Sequence, residues 1–264
     1  VKKEFLLNNR KVVYTIYGEK NKLPLLLLHG FCEDASVWQS IVEDLSKTYK
    51  VVVPDLPGFG QTESWFGMTI PDMAEVVNQI ILHAAIYNPA IIGHSMGGYI
   101  SLAYADQFPE SYAGIGLFHS TTLSDSIEKK ENRLKTAAFI QENGSLAFSK
   151  VLVPTLFSKE YTSASIIEQA IEVGGRCSID GLVHATLAMR ERKDYTDVFK
   201  KIIKPTLIIS GKQDAGIPVS ISAHQASLPN ICSFHILEKS GHTGMKEQPS
   251  ESILYIHQFL NFCF

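Results

Sequence analysis

The chain has 264 residues, of which 45% are apolar, 19% charged and 10% aromatic, and its formal net charge is −3. That composition excludes a disordered, collagenous or coiled-coil chain, and the slight acidic balance argues against nucleic acid as a partner. No apolar run reaches the roughly 20 residues needed to cross a bilayer, so no membrane association is expected.

The first element is a hairpin. Phe5-Leu6-Leu7 and Val12 to Tyr17 flank Asn8-Asn9, a pair suited to a tight turn. Pro24-Leu25-Leu26-Leu27-Leu28-His29-Gly30 is continuously apolar until its end, which predicts a strand buried on both faces. Similar strands are predicted over 50–55, 89–93, 114–118, 206–211 and 232–237. Between them, residues 71–86 place Met73, Val76, Val77, Ile80, Ile81 and Ala84 on one helical face. Further helices are predicted over 96–108 and over 249–262, the latter opening on Pro249. Alternating strands and helices predict a mainly parallel sheet covered on both faces. Residues 121–195 break the alternation. They contain no buried-strand run and predict helices, including 125–142 and 179–191, punctuated by Gly144, Gly174 and Gly175. Glu128-Lys129-Lys130-Glu131 reads as a solvated helix face.

Cys32, Cys177, Cys232 and Cys263 form no CxxC pair and no zinc-type spacing. They predict free thiols in a reducing compartment. Val1 to Phe5 lacks the apolar stretch of a signal peptide, so a cytoplasmic location is expected.

Gly93-His94-Ser95-Met96-Gly97-Gly98 lies between a predicted strand and a predicted helix. This G-x-S-x-G pattern needs that context: a strained turn lifts the serine hydroxyl clear of the sheet, and small neighbours let backbones pack around it. A serine nucleophile needs a base, and the chain has nine histidines. His83, His224, His235 and His257 fall inside helix or strand patterns. His94 is the variable position of the turn, His119 ends a strand, and His184 lies in the helical insertion. Only His242 combines a loop after a strand, a neighbouring glycine and a position after a candidate acid. That acid is Asp214, just past the strand ending at Ser210, where a carboxylate can fix an imidazole tautomer. Two backbone N–H groups, those of Phe31 and Met96, are the candidate oxyanion hole. His29 is expected to brace its loop, and Cys32 to be structural.

Taken together these segments resemble the α/β-hydrolase superfamily over nearly the whole chain. His29-Gly30-Phe31 resembles its oxyanion-loop motif, Asp55 to Gly60 its D-x-P-G-x-G segment, and Gly93 to Gly98 its nucleophile turn. Gly211 to Asp214 with Pro218 resembles its acid loop, and Gly241-His242 its base. The resemblance implies an α/β-hydrolase fold: a mostly parallel eight-stranded sheet with helices on both faces and an inserted all-helical cap. Residues 1–120 and 196–264 would form the core and 121–195 the cap. Dehalogenases and epoxide hydrolases of this fold use Asp as nucleophile, whereas position 95 is Ser. Small carboxylesterases and enol-lactone hydrolases are closer.

The expected reaction is hydrolysis of a small, mostly apolar ester or lactone by a Ser95-His242-Asp214 triad, with no metal or organic cofactor. Trp65, Phe139, Phe148 and Leu152 are the expected substrate contacts. A carbon–carbon bond hydrolase and a low-turnover ligand sensor of the same fold are the alternatives. The sequence leaves monomer and dimer equally open.

Overall fold

The fold is that of a computed structural model, in which residues 1–160 and 162–264 are described. Strands β1 (Lys2–Leu7) and β2 (Arg10–Tyr17) form the predicted hairpin. Asn8 and Asn9 both have positive φ, 50° and 60°. A two-residue hairpin turn of the I′ type demands this at both central positions, and Asn tolerates it better than most residues. Then follow β3 (Leu23–Leu28), α1 (Gln39–Leu45), β4 (Tyr49–Pro54), α2 (Ile70–His83), β5 (Ala90–His94), α3 (Met96–Gln107) and β6 (Gly114–Phe118).

Between β6 and the next strand the described chain is helical: α4 (Ile127–Leu152), α5 (Ala164–Gly175), α6 (Ile179–Glu191) and α7 (Thr196–Lys201). Gly144, at φ 80° and ψ 171°, breaks α4 into two pieces, so the predicted helix end and its glycine punctuation become a kink. The sheet resumes with β7 (Thr206–Gly211), then α8 (Val219–Ala226), β8 (Cys232–Leu237), the short α9 (Gly244–Glu247) and α10 (Pro249–Cys263).

The eight strands lie in the order β1-β2-β4-β3-β5-β6-β7-β8. Only β2 runs against the rest, pairing antiparallel with both β1 and β4. The pairs from β4 through β8 are parallel. This is the mostly parallel eight-stranded sheet that the resemblance implies.

Alternation along each strand explains the continuous apolar runs. Leu26, Leu28, Ile91, Ile115 and Leu117 pack with α2 and α3 on one face. Leu25, Leu27, Ala90, Ile92 and Ile209 pack with α1 and α10 on the other. Leu25 to Leu28 are each fully buried, and each contributes about 1.5–3 kcal/mol of burial. Helix α2 starts at a capping box, in which the Thr69 side chain accepts from the Asp72 N–H and Asp72 accepts from the Thr69 N–H. Among the described residues no helix is long and apolar enough to cross a membrane. The sheet brings the C-terminal ends of β3, β5, β7 and β8 to one edge, where open α/β sheets place their ligands.

Candidate active site

Ser95 occupies the turn from β5 to α3 with φ 50° and ψ −113°, a conformation that costs a non-glycine residue free energy. Its surroundings hold it there. The Ser95 N–H donates to the Phe118 carbonyl at 2.9 Å, and its own carbonyl accepts the Ser120 hydroxyl at 2.7 Å. The flanking glycines are required by space. A Cβ at Gly93 would lie 2.1 Å from the Gly97 carbonyl oxygen, and one at Gly97 would lie 2.5 Å from that of Leu28.

Asp214 and His242 come from the loops after β7 and β8. His242 Nδ1–H donates to Asp214 Oδ2 at 2.7 Å. The other carboxylate oxygen accepts the N–H groups of Gly216 and Ile217, at 2.8 and 3.0 Å. Burial disfavours the charged carboxylate, but the two imidazoles beside it, His242 and His119, outweigh that penalty. They hold the Asp214 carboxyl far below the usual carboxylate range. The His242 loop is tied down by Glu247, whose Oε2 accepts the Ser240 hydroxyl and the Gly241 N–H.

Ser95, His242 and Phe31 line one cavity of about 340 Å³. Among the described residues neither the Phe31 N–H nor the Met96 N–H donates a hydrogen bond, so both are available to an anionic oxygen. His29 braces its loop as expected: Nε2 accepts the Leu56 N–H at 2.9 Å while Nδ1 donates to the Gly30 carbonyl.

Of the four expected substrate contacts, only Leu152 lines this cavity. Phe148 is buried behind it, its ring 5.8 Å from that of Phe31 and edge-on. Phe139 does not reach the cavity. It lies a turn beyond Thr136, the last residue of α4 to line the cavity before the kink, and is 38% exposed. Trp65 is also displaced: it packs on the core between β4 and α2 and borders a separate surface groove with Phe66 and Met68. Apolar character does not say which end of a helix meets a cavity. The cavity surface is mostly apolar, as the sequence suggests, but it also carries charge. Phe31, Tyr99, Leu152, Leu156, Met189 and Ile217 line it, but so do Asp125, Lys129, Arg133 and Arg192. Lys129 belongs to the run read as a solvated face.

Sequence reasoning missed two buried histidine arrangements. His94 Nδ1 meets Glu33 Oε2 at 2.9 Å, and His94 Nε2 donates to the His242 carbonyl at 2.7 Å. Burial opposes charge on both partners. Their mutual attraction wins, raising the His94 pKa and holding the Glu33 carboxyl down to about 2, helped by the Gly30 N–H. His119 lies against Asp214 at 3.5 Å. The Gly211 N–H points at its Nδ1 and the Gly244 N–H at its Nε2, both at 3.0 Å. A neutral imidazole has one acceptor nitrogen, and an imidazolium has none. Burial, with the Asp214 charge only partly compensating, lowers its pKa to about 4.

His119, Asp214 and His242 also bring ligand atoms within 4.8 Å of one another, as a metal site would. Those atoms are already engaged with each other and with backbone N–H groups.

One further contact joins the sheet edge to the helical segment. Cys32, directly after Phe31, is buried, its sulfur 2.7 Å from where a Cβ on Gly174 of α5 would lie; the neighbouring Cys177, between α5 and α6, is buried too, and its thiol donates to the Val173 carbonyl at 3.7 Å. The nearby Cys32 and burial together push the Cys177 thiol pKa up.

A family model described as "alpha/beta hydrolase fold" matches residues 24–249. An uncharacterized hydrolase of Bacillus subtilis is 26% identical, over 98% of this chain and 97% of its own length. A monoacylglycerol lipase of Xenopus laevis is 28% identical, over 96% of this chain and 80% of its own. Among solved structures, an esterase from Thermogutta terrifontis with malate bound superposes with a TM-score of 0.93 at 27% identity, covering 100% of this chain and 99% of the other. An enol-lactonase from Burkholderia xenovorans, at 22% identity, shares the fold with a TM-score of 0.91, covering 98% and 100%.

Proposed function

The chain belongs to the α/β-hydrolase fold family, and on that premise we propose that it is a serine hydrolase of small carboxylic esters or lactones. The observation that carries this reading is the 2.7 Å bond between His242 and Asp214 on a cavity shared with a strained Ser95. Ser95 Oγ attacks the carbonyl carbon as His242 Nε2 takes its proton. Asp214 keeps the other ring nitrogen protonated and stabilises the imidazolium. The N–H groups of Phe31 and Met96 receive the oxyanion. Collapse expels the alcohol, which His242 protonates, and water then repeats the sequence on the acyl-enzyme. The helical insertion, residues 121–195 in this reading, is the cap that roofs the cavity. The esterase and lipase relatives favour an ester bond over other acyl substrates.

The test is a chain-length series of p-nitrophenyl esters with the wild type and Ser95→Ala. A loss of at least about 10³-fold in turnover is expected in the variant. Equal turnover in both proteins, or none in a folded wild type, overturns the reading.

A further inference from the structure

The cavity has a second chemical wall that ester hydrolysis does not use. Lys129, Asn132, Arg133 and Thr136 line it. Their three- and four-residue spacing makes them one face of the first piece of α4, and every member of that stripe offers hydrogen-bond donors. Arg192, at the end of α6, joins the same wall. Lys129, Arg133 and Arg192 bring three positive charges and Asp125 one negative, a formal surplus of two. The remaining acid of the cavity, Glu33, is matched by His94.

Asp125 does not exhaust these donors. It accepts Arg133 through Nε at 3.0 Å, which leaves both terminal nitrogens of that guanidinium without a hydrogen bond among the described residues. Arg192 donates to Asp125 at 2.8 Å, to the Met189 carbonyl at 2.8 Å and to the Leu123 carbonyl at 3.1 Å, and its guanidinium lies over the Tyr99 ring. Its Nε is nevertheless buried with no acceptor, on a residue only 5% exposed. Lys129 makes no ion pair among the described residues. Arg192 is the buried donor of the wall, and buried charged donors are normally satisfied; Arg133 is half-buried and Lys129 exposed, both facing the cavity, and a free guanidinium edge matches the two oxygens of a carboxylate.

We propose that the substrate carries a carboxylate in addition to its ester carbonyl, bound by Lys129 and Arg133 with Arg192 behind them. This assignment rests on ester hydrolysis at Ser95 and narrows its substrate class to anionic esters.

The test compares p-nitrophenyl hexanoate with the mono-p-nitrophenyl ester of hexanedioic acid, corrected for spontaneous hydrolysis. The wild type is expected to prefer the half-ester by about tenfold in kcat/KM, the effect of one charge-assisted pairing. The preference should shrink in about 0.5 M salt, where the Debye length falls to roughly 4 Å. Lys129→Met and Arg133→Met should each reduce the ratio of the two kcat/KM values several-fold. Calorimetric binding of hexanedioate against hexanoate needs no turnover and uses the same variants. Hydrolysis of the hexanoate ester with no preference for the half-ester overturns the carboxylate site and leaves the esterase reading standing. No hydrolysis of either ester, with hexanedioate bound more tightly than hexanoate by the wild type but not by the variants, overturns the esterase reading and supports the site. Equal binding of the two acids by wild type and variants overturns the site.

Discussion

His119 should give this protein a steep loss of stability in mild acid. The group is buried and its pKa is lowered from 6.5 to about 4. Above pH 6.5 the imidazole is neutral in both the folded and the unfolded chain, and its contribution to stability is fully present. As pH falls from 6.5 towards 4, the unfolded chain binds a proton that the folded one refuses, so stability is lost. At 1.36 kcal/mol per pKa unit the whole shift amounts to about 3 kcal/mol, of which about 2 kcal/mol falls between pH 6.5 and 4.5. That window isolates the imidazole well. The carboxyls of Glu33 and Asp214, both held low, begin to lose their contributions only below their ordinary values of 4.5 and 3.8. His94, whose pKa is raised, contributes fully below 6.5. His235 is shifted down by burial and adds a slope of the same sign, so the comparison must be with a variant. Urea unfolding at half-unit steps from about pH 8 to 4 should show His119→Gln less stable at neutral pH but flatter in acid, by about 2 kcal/mol over the window. Equal slopes for the two proteins would refute the reasoning.

The Glu33–His94 pair predicts a bell-shaped cost. Glu33→Gln should destabilise most between pH 4.5 and 6.5, where both members of the wild-type pair are charged. The gap should narrow at higher pH as His94 deprotonates through its raised pKa, and at lower pH as Glu33 protonates towards about 2; a gap independent of pH argues against the ion pair. Gly97→Ala puts a Cβ 2.5 Å from the Leu28 carbonyl oxygen and 2.7 Å from that of His29, both backbone. It should cost about 1–3 kcal/mol and lower the melting temperature by roughly 2–12 °C, whereas a variant melting with the wild type would mean that the turn is not tightly packed.

The strands were legible because burial on both faces leaves continuous apolar runs, as Leu25 to Leu28 illustrate. Ser95, Asp214 and His242, which the structure brings to one cavity and one hydrogen-bonded pair, were legible because each stands in the turn or loop that follows such a run. His119 stands there too, after β6, and the same rule would have drawn attention to it. The Glu33–His94 pair joins positions 61 residues apart, a separation at which no local pattern operates. The charged wall was hidden for a different reason. A polar stripe on α4 reads as solvent-facing unless something is known to pack opposite it, and only the fold sets the first turns of α4 over Ser95. The kink at Gly144 then determines which of its apolar residues reach the cavity, admitting Leu152 and leaving Phe139 outside.

The burial of Cys32 and Cys177 makes the two thiols part of a seal between the sheet edge and the helical segment. Both residues are buried, so alkylation of either sulfur should be slow until the packing of α5 and α6 on the sheet edge opens. Their labelling rate is therefore a clock for that opening, and it runs without substrate. The half-buried Cys232 and Cys263 lie outside the seal and supply the reference against which the clock is read. Opening of the α5–α6 region thereby becomes observable in the unmodified sequence, separately from any hydrolysis that an ester assay reads.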